Sequence, residues 1–370
     1  MTEQLFFNLL LNLDLFNFIL FLSYTVLYTV DHSITKDTMK ADIVVDLQYG
    51  DCGKGKVTHF LAKTRNYTHV LRYNGGCNAG HTIFHEGKKF VTHHIPSGVF
   101  FGVKSIIGSG CVINPTQFFK EIKELEDGGI NTKGMIFVAK NTHVITDKHL
   151  EEDKKDTAIG TTKRGNGPAY RDKYARDGFL AQDIPELQPY LIDLLEELNN
   201  PEVFVLCEGA QGFGLDIDHG DYPFVTSSHC TVAGALLNGI PHQAVNEVWG
   251  IMKGYETYVG TKQFETDDPM FSEIRDVGQE YGATTGRPRQ VNWTNLQLVQ
   301  KAIAMNGVTH LVVNKMDVLE KVDVWNFLNS GKITKLANRT EFEKYLVDFL
   351  KSDPSSHLSK FHFSDCPETV

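Results

Sequence analysis

From Met39 onward, apolar runs of strand length alternate with amphipathic runs of helix length. That alternation predicts an α/β fold, a mostly parallel central sheet flanked by helices. Strands are expected at residues 41–47, 68–73, 105–107, 135–138, 203–207, 248–252 and 310–313. Residues 115–125 and 185–198 read as helices, because their apolar positions recur every three to four residues. Glycine-rich stretches follow many of the strands, which is where open α/β sheets bind ligands. No repeat or low-complexity linker interrupts 39–370, so one catalytic domain is expected there.

The first 38 residues break the pattern. Residues 5–30 are crowded with Leu, Phe, Tyr and Asn and hold no Lys or Arg, so the basic start of a secretory signal is missing. Their length would suffice for a membrane span. Asn8, Asn12, Asp14 and Asn17 interrupt the apolar run, however, and a central Asp is costly in a bilayer. The stretch has the composition that AT-rich DNA encodes, and Met39 stands directly before the first strand. The expectation for 1–38 is therefore a disordered N-terminal extension or a start placed too far upstream, with a membrane anchor as the lesser alternative.

Composition narrows the class only a little. The 370 residues are 41% hydrophobic and 22% charged, ordinary for a soluble globular protein. A net charge of −10 argues against nucleic acid or an anionic membrane as the main partner. Six cysteines without C-x-x-C spacing read as reduced thiols of a cytoplasmic protein.

Two loops carry the chemistry. ADIVVDLQYGDCGKGK at 41–56 empties a β-branched run into a glycine-rich turn, the way a sheet presents N–H groups and positive charge to a phosphate. Gly50, Gly55 and Lys56 satisfy G-x-x-x-x-G-K, but Val57 stands where a Walker loop needs Ser or Thr for magnesium. Asp51 is the candidate substitute, for metal or for proton chemistry. The bland alternative is a simple glycine turn. At 309–319, THLVVNKMDVL ends a strand in N-K-x-D. A carboxylate there can accept from guanine N1–H and the 2-amino group, donors that adenine lacks. A GTPase switch is disfavoured by the distance between the two loops and by Val57.

Read together, the loops resemble those of adenylosuccinate synthetases, in the short form of that family, across Met39–Val370. The matching stretches run in order: QYGDCGKGK at 48–56, RYNGGCNAGHT at 72–82, IPSG at 95–98, AIGTTKRGNGPAY at 158–170, EGAQG at 208–212, DIDHGDYPFVTSS at 216–228, GATTGRPR at 282–289 and NKMDVL at 314–319. The resemblance implies a ligase of purine biosynthesis that joins L-aspartate to IMP with GTP as co-substrate and Mg2+ as cofactor, through a 6-phosphoryl intermediate. It implies Asp51, His81, Gln211 and Lys54 as catalytic residues, with Asp51 and Gly80 on the metal. GTP would be held by Gly50, Gly53, Lys54, Gly55, Lys56, Arg289, Lys315, Asp317, Ser364 and Pro367. IMP would be held by Asn78, Thr162, Gln211, Thr226 and Arg287, with Arg176 supplied in trans by a homodimer. Aspartate would be held by Val259, Ala283, Thr284, Thr285 and Arg287. The histidines at 93, 94, 219 and 229 fit no tetrahedral spacing and read as structural.

Departures from the family pattern concern detail. Cys52 replaces a Glu, Cys77 a His and Lys163 a Gly; Pro288 interrupts an arginine run; Tyr258, Lys262 and Gln263 alter the loop near the aspartate site; the C-terminal SDCPE is abbreviated. The rival within the family is a phage-type synthase that joins aspartate to dGMP. In such relatives the loop acid is commonly a small residue, whereas Asp51 is retained here.

Overall fold

The computed structural model describes residues 38–282, 286–366 and 370. Apart from Thr38, the expected N-terminal extension lies outside the described residues. Nine strands form one sheet: β1 (Lys40–Asp46), β2 (His69–Arg72), β3 (Lys104–Ile107), β4 (Ile136–Ala139), β5 (Leu191–Ile192), β6 (Phe204–Glu208), β7 (Val245–Lys253), β8 (His310–Asn314) and β9 (Lys360–Phe363). Across the sheet the order is β9-β8-β7-β1-β6-β2-β3-β4-β5, and every neighbouring pair is parallel.

The reason lies in which side chains alternate. Ile43, Val45 and Leu47 pack into one core cluster with Leu71, Val205 and Val313. Val44 points the other way, into a second cluster with Val57, Leu61, Val70, Leu206, Ile251 and Val312. Successive strand residues face opposite sides, so a strand covered on both faces must be apolar at nearly every position. The continuous apolar runs expected as strands are all in this sheet. The short edge strands β5 and β9 were not foreseen, having too few apolar residues to register as runs.

The helix at Pro115–Asp127 forms as expected, started by Asn114, whose side chain accepts from the Gln117 N–H at 3.0 Å, and by Pro115 in the first turn. The helix expected over 185–198 does not form as one piece. Pro185–Tyr190 is a 3-10 turn, β5 follows, and only Leu194–Leu198 is α-helical. Pro189 has no N–H and its ring blocks continuation, while Asp193 caps a fresh helix through the Glu196 N–H at 3.2 Å.

A second sheet joins Tyr255–Tyr258, Gln290–Asn295, Trp325–Asn329 and Lys332–Leu336 in that order. Met39–Val370 is one compact unit. Among the described residues no helix is long and apolar enough to cross a membrane. Because β6 and β7 flank β1 on opposite sides, the loops after these strands diverge and leave a crevice at their C-terminal ends.

Candidate functional site

That crevice is a cleft of about 710 Å³. The loop after β1 contributes Gly50, Asp51, Gly53, Lys54, Gly55 and Lys56; the loop after β2 contributes Asn78, Gly80 and His81. Gln211 and Thr226 arrive after β6, Lys315 and Asp317 after β8, and Thr162, Val259, Arg287 and Arg289 close the sides. Ser364 is buried next to the cleft and reached by Lys56. Arg176 is exposed at the end of the helix Asn166–Ala175 and is not part of the lining. Ala283, Thr284, Thr285 and Pro367 lie outside the described residues.

The phosphate loop is built by close approach. Gly53 has φ 97°, and a Cβ on it would stand 2.8 Å from Asn314 Nδ2. Only glycine meets both demands. The helix Lys54–Thr64 then starts with its first N–H groups free of intrahelical partners, an anion site at the cleft wall. Inside the turn, buried Asp46 accepts from the N–H groups of Gln48, Gly50 and Cys52 at 3.0, 3.2 and 3.1 Å and pairs with the Lys54 ammonium at 3.0 Å. Val57 is buried in the core and is not part of the cleft lining. Lys56 Nζ donates to Asn314 Oδ1 at 2.8 Å and to Ser364 Oγ at 2.5 Å, and burial lowers its pKa to about 8. Asn314 Nδ2 in turn donates to the Cys52 carbonyl at 2.7 Å, so the two motifs read separately in the sequence interlock.

Four cleft residues that are not glycine adopt left-handed backbone: Asp51 at φ 56°, Gln211 at 57°, Gln279 at 51° and Lys315 at 63°. Such conformations cost roughly 1–3 kcal/mol each and persist where surrounding structure enforces them, often at working sites. Asp51, Gln211 and Lys315 each follow the end of a central strand, and Gln279 ends the helix Met270–Gly278.

His81 is held in a buried triad. Its Nδ1 lies 2.7 Å from Glu208 Oε1, its Nε2 lies 3.2 Å from Arg72 Nη1, and Arg72 Nη2 donates to Glu208 at 2.7 Å. Donation from Nδ1 to Glu208 and acceptance at Nε2 from Arg72 satisfies both nitrogens. Burial, followed by the Arg72 charge, pushes the His81 pKa down to about 4, so the ring is neutral at neutral pH. Burial alone would raise Glu208, yet Arg72 and His81 hold it well below the usual carboxylate range. The helix glycine Gly55 fits against this ring, since a Cβ there would stand 2.7 Å from His81 Cβ.

A second buried network reaches Asp51. Glu280 accepts from Lys253 Nζ at 3.1 Å and Tyr255 OH at 2.6 Å, and it binds Arg289. Arg289 Nη2 lies 2.9 Å from Asp51 Oδ2, whose side chain remains 42% exposed to the cleft. Gln211 Nε2 donates to Asn78 Oδ1 at 3.2 Å, while its buried Oε1 has no partner among the described residues. Arg287 Nη2 donates to the carbonyls of Gly160 and Thr161 at 3.2 and 3.4 Å. Lys315 Nζ donates to the Gly278 carbonyl at 2.8 Å.

Asp46, Lys253, Glu280, Tyr49 and Asp221 were not singled out by sequence reasoning, and Lys262, noted there only as a departure near the aspartate site, clusters with Tyr49 and Asp221. Tyr49 OH donates to Asp221 at 2.7 Å, and Lys262 binds the same carboxylate while lying 5.3 Å over the Tyr49 ring. The signal for Asp46 and Lys253 was present as a charge inside an apolar run. Asp216, Asp218 and His229 place ligand-type atoms within 4.8 Å of one another, but Asp216 is engaged by the N–H groups of Asp218, His219 and Cys230 at 3.0, 3.1 and 2.6 Å.

Comparison with known proteins completes the picture. A family model described as adenylosuccinate synthetase matches residues 43–190 and 180–327. The adenylosuccinate synthetase of Phocaeicola vulgatus is 40% identical over 335 residues, 76% of this chain and 79% of that protein. That of Borrelia turicatae is 37% identical over 361 residues, 83% of this chain and 82% of the relative. Among solved structures, the fully ligated adenylosuccinate synthetase of Plasmodium falciparum superposes with a TM-score of 0.77 at 26% identity, covering 88% of this chain and 97% of that one. The succinoaminodeoxyadenylate synthetase of cyanophage S-2L, bound to dGMP and to dATP as an energy donor, gives 0.65 at 25% identity, covering 84% and 99%.

Proposed function

The chain belongs to the adenylosuccinate synthetase family, and from that premise we propose how its cleft divides the family's work. The reaction is the GTP-dependent ligation of L-aspartate to IMP. In our reading Asp51 takes the N1 proton of IMP, and O6 then forms a bond to the γ-phosphorus as the bond to GDP breaks. The aspartate amine next attacks C6, the C6–O6 bond breaks, inorganic phosphate leaves, and the amine sheds its proton. Asp51 is suited to the first step because its carboxylate is open to the cleft while Arg289 holds it in place at 2.9 Å.

Lys54 and the helix N-terminus hold the β- and γ-phosphates, Lys315 and Asp317 read guanine, and Lys56 braces the loop against Asn314 and Ser364. Gln211, through the second hydrogen of its Nε2, and Asn78, through its Nδ2 group, donate to the 6-oxygen of IMP, with Thr162 and Thr226 along the nucleotide. Arg287 addresses a carboxylate of L-aspartate. For His81 to meet the transferring phosphoryl group, its ring must turn out of the Arg72–Glu208 pair. A hard divalent cation takes oxygen ligands, and the Asp51 carboxylate and Gly80 carbonyl, both at the cleft, fit Mg2+. There it would neutralise phosphate charge. The five buried cysteines, none of them in a disulfide, support placing the protein in the reducing cytoplasm.

The observation that carries the choice of purine is Asp51 itself. Its carboxylate accepts a proton from N1, whereas the 2-amino group of a guanine needs room beside it. IMP is expected to exceed dGMP by at least about tenfold in kcat/KM, a discrimination that one misfitting group produces. Assays with IMP, dIMP, GMP and dGMP decide it. Equal turnover of dGMP would favour the activity of the cyanophage relative.

Arg176 stands outside its own cleft, which supports a role toward the 5′-phosphate of IMP in the other subunit of a homodimer. Mixing inactive Arg176→Leu with inactive Asp51→Asn is then expected to restore activity, since one site of each mixed dimer regains both groups. No recovery on mixing, with both variants dimeric, would rule this out.

A further inference from the structure

The central strand ends in a charge that lies inside the fold. Asp46 is the last residue of β1, and its side chain is fully buried. Oδ1 accepts from Gln48 N–H at 3.0 Å and Gly50 N–H at 3.2 Å. Oδ2 accepts from Cys52 N–H at 3.1 Å and from Lys54 Nζ at 3.0 Å. An ionised carboxylate offers about four acceptor positions, and all four are used. Three N–H groups of the glycine-rich turn therefore point inward, at the protein's own carboxylate. What faces an incoming phosphate is the start of the helix Lys54–Thr64 and the two remaining donors of the Lys54 ammonium.

The loop that carries Gln211 docks on the same group. A Cβ on Gly212 would stand 2.7 Å from Asp46 Oδ1 and 2.5 Å from the Gly50 nitrogen, so the two loops meet with no room between them. Three backbone donors would suffice to staple the turn. The fourth donor is the ammonium that the phosphoryl step uses, and it is 4% exposed, with no other hydrogen-bond acceptor among the described contacts.

We propose that Asp46 is a positioning residue for phosphoryl transfer: it sets the Lys54 ammonium in register with the turn, and so acts on turnover and not on binding of IMP. This rests on the role given above to Lys54. Asp46→Asn keeps the shape but turns an amide N–H2 toward the Cys52 N–H and the Lys54 ammonium, displacing that ammonium. A misplacement on the order of 1 Å costs about 10²-fold.

The test uses the full chain, with steady-state turnover, IMP binding by calorimetry and thermal unfolding measured in parallel. For Asp46→Asn, kcat is expected to fall about 10²-fold while the Kd for IMP stays within about threefold. In Lys54→Gln the further change Asp46→Asn is expected to lower kcat by no more than about threefold, as for residues that act as one unit. Undiminished kcat in Asp46→Asn, loss of IMP binding in parallel with kcat, or full additivity with Lys54→Gln would each reduce Asp46 to a fold staple and overturn the proposal. Undiminished kcat in Lys54→Gln would instead sink the role given to Lys54. Should Asp46→Asn not fold, Asp46→Glu keeps the charge and lengthens the arm by one methylene. It is expected to lose about tenfold in kcat at unchanged IMP affinity, and a folded Asp46→Glu with undiminished kcat overturns the proposal equally.

Discussion

GTP is expected to support turnover about 10⁴-fold better than ATP in kcat/KM, and Asp317→Asn to move that preference toward xanthosine triphosphate. Asp317 lies in the first turn of the helix Met316–Val322, directly after left-handed Lys315. One of its oxygens, Oδ2, accepts from Lys321 Nζ at 3.0 Å. Guanine presents two adjacent donors, N1–H and the 2-amino group, to such a carboxylate. Adenine presents neither and would leave a charged acceptor unpaired, and a site built to bond a group rejects analogues without it far more strongly than an apolar site rejects a methylene. Asn exchanges one acceptor for a donor, which matches the 2-oxo group of xanthine. Measuring kcat/KM for the three triphosphates in both proteins checks this, and comparable GTP and ATP rates in the unmutated chain would remove Asp317 as the reader of the base.

Asp51→Asn is expected to lower turnover by about 10²–10⁴-fold, the span general-base groups contribute. The substitution isolates chemistry from architecture for three reasons. Asn tolerates the left-handed backbone found at φ 56°. The turn itself is held by Asp46, not by Asp51. Arg289 keeps its bond to Glu280 when Asp51 loses its charge. Thermal unfolding close to that of the unmutated chain, with IMP still bound, is therefore expected beside the lost rate. Near-normal turnover in a folded variant would transfer the base to another residue.

The sequence was most legible where one residue type had to satisfy one local demand. Gly53 could be placed in a tight turn from its neighbours alone, and the structure adds the reason: a Cβ would strike Asn314. The N-K-x-D strand was readable because β8 is buried at every position and ends abruptly in polar residues. Reading failed where one residue outweighed the periodicity around it. The apolar spacing of 185–198 suits a helix, but Pro189 divides it and leaves room for a short edge strand.

By itself, then, the sequence determined the parallel sheet, through runs apolar at every position that only a strand buried on both faces needs, and it determined the family through loops in fixed order. Tertiary structure decided who partners whom. Asp46, Lys253 and Glu280 are charged residues whose burial is tolerable only because donors and counter-ions from distant segments arrive around them, Lys253 and Glu280 pairing at 3.1 Å and Asp46 collecting four donors. His81 is neutral because burial and Arg72 make it so, and Asp51 is restrained because Arg289 comes to it from a segment far along the chain. Local pattern encodes which backbone shape a residue prefers. The energy of a buried charge depends on neighbours that only the folded chain brings within reach.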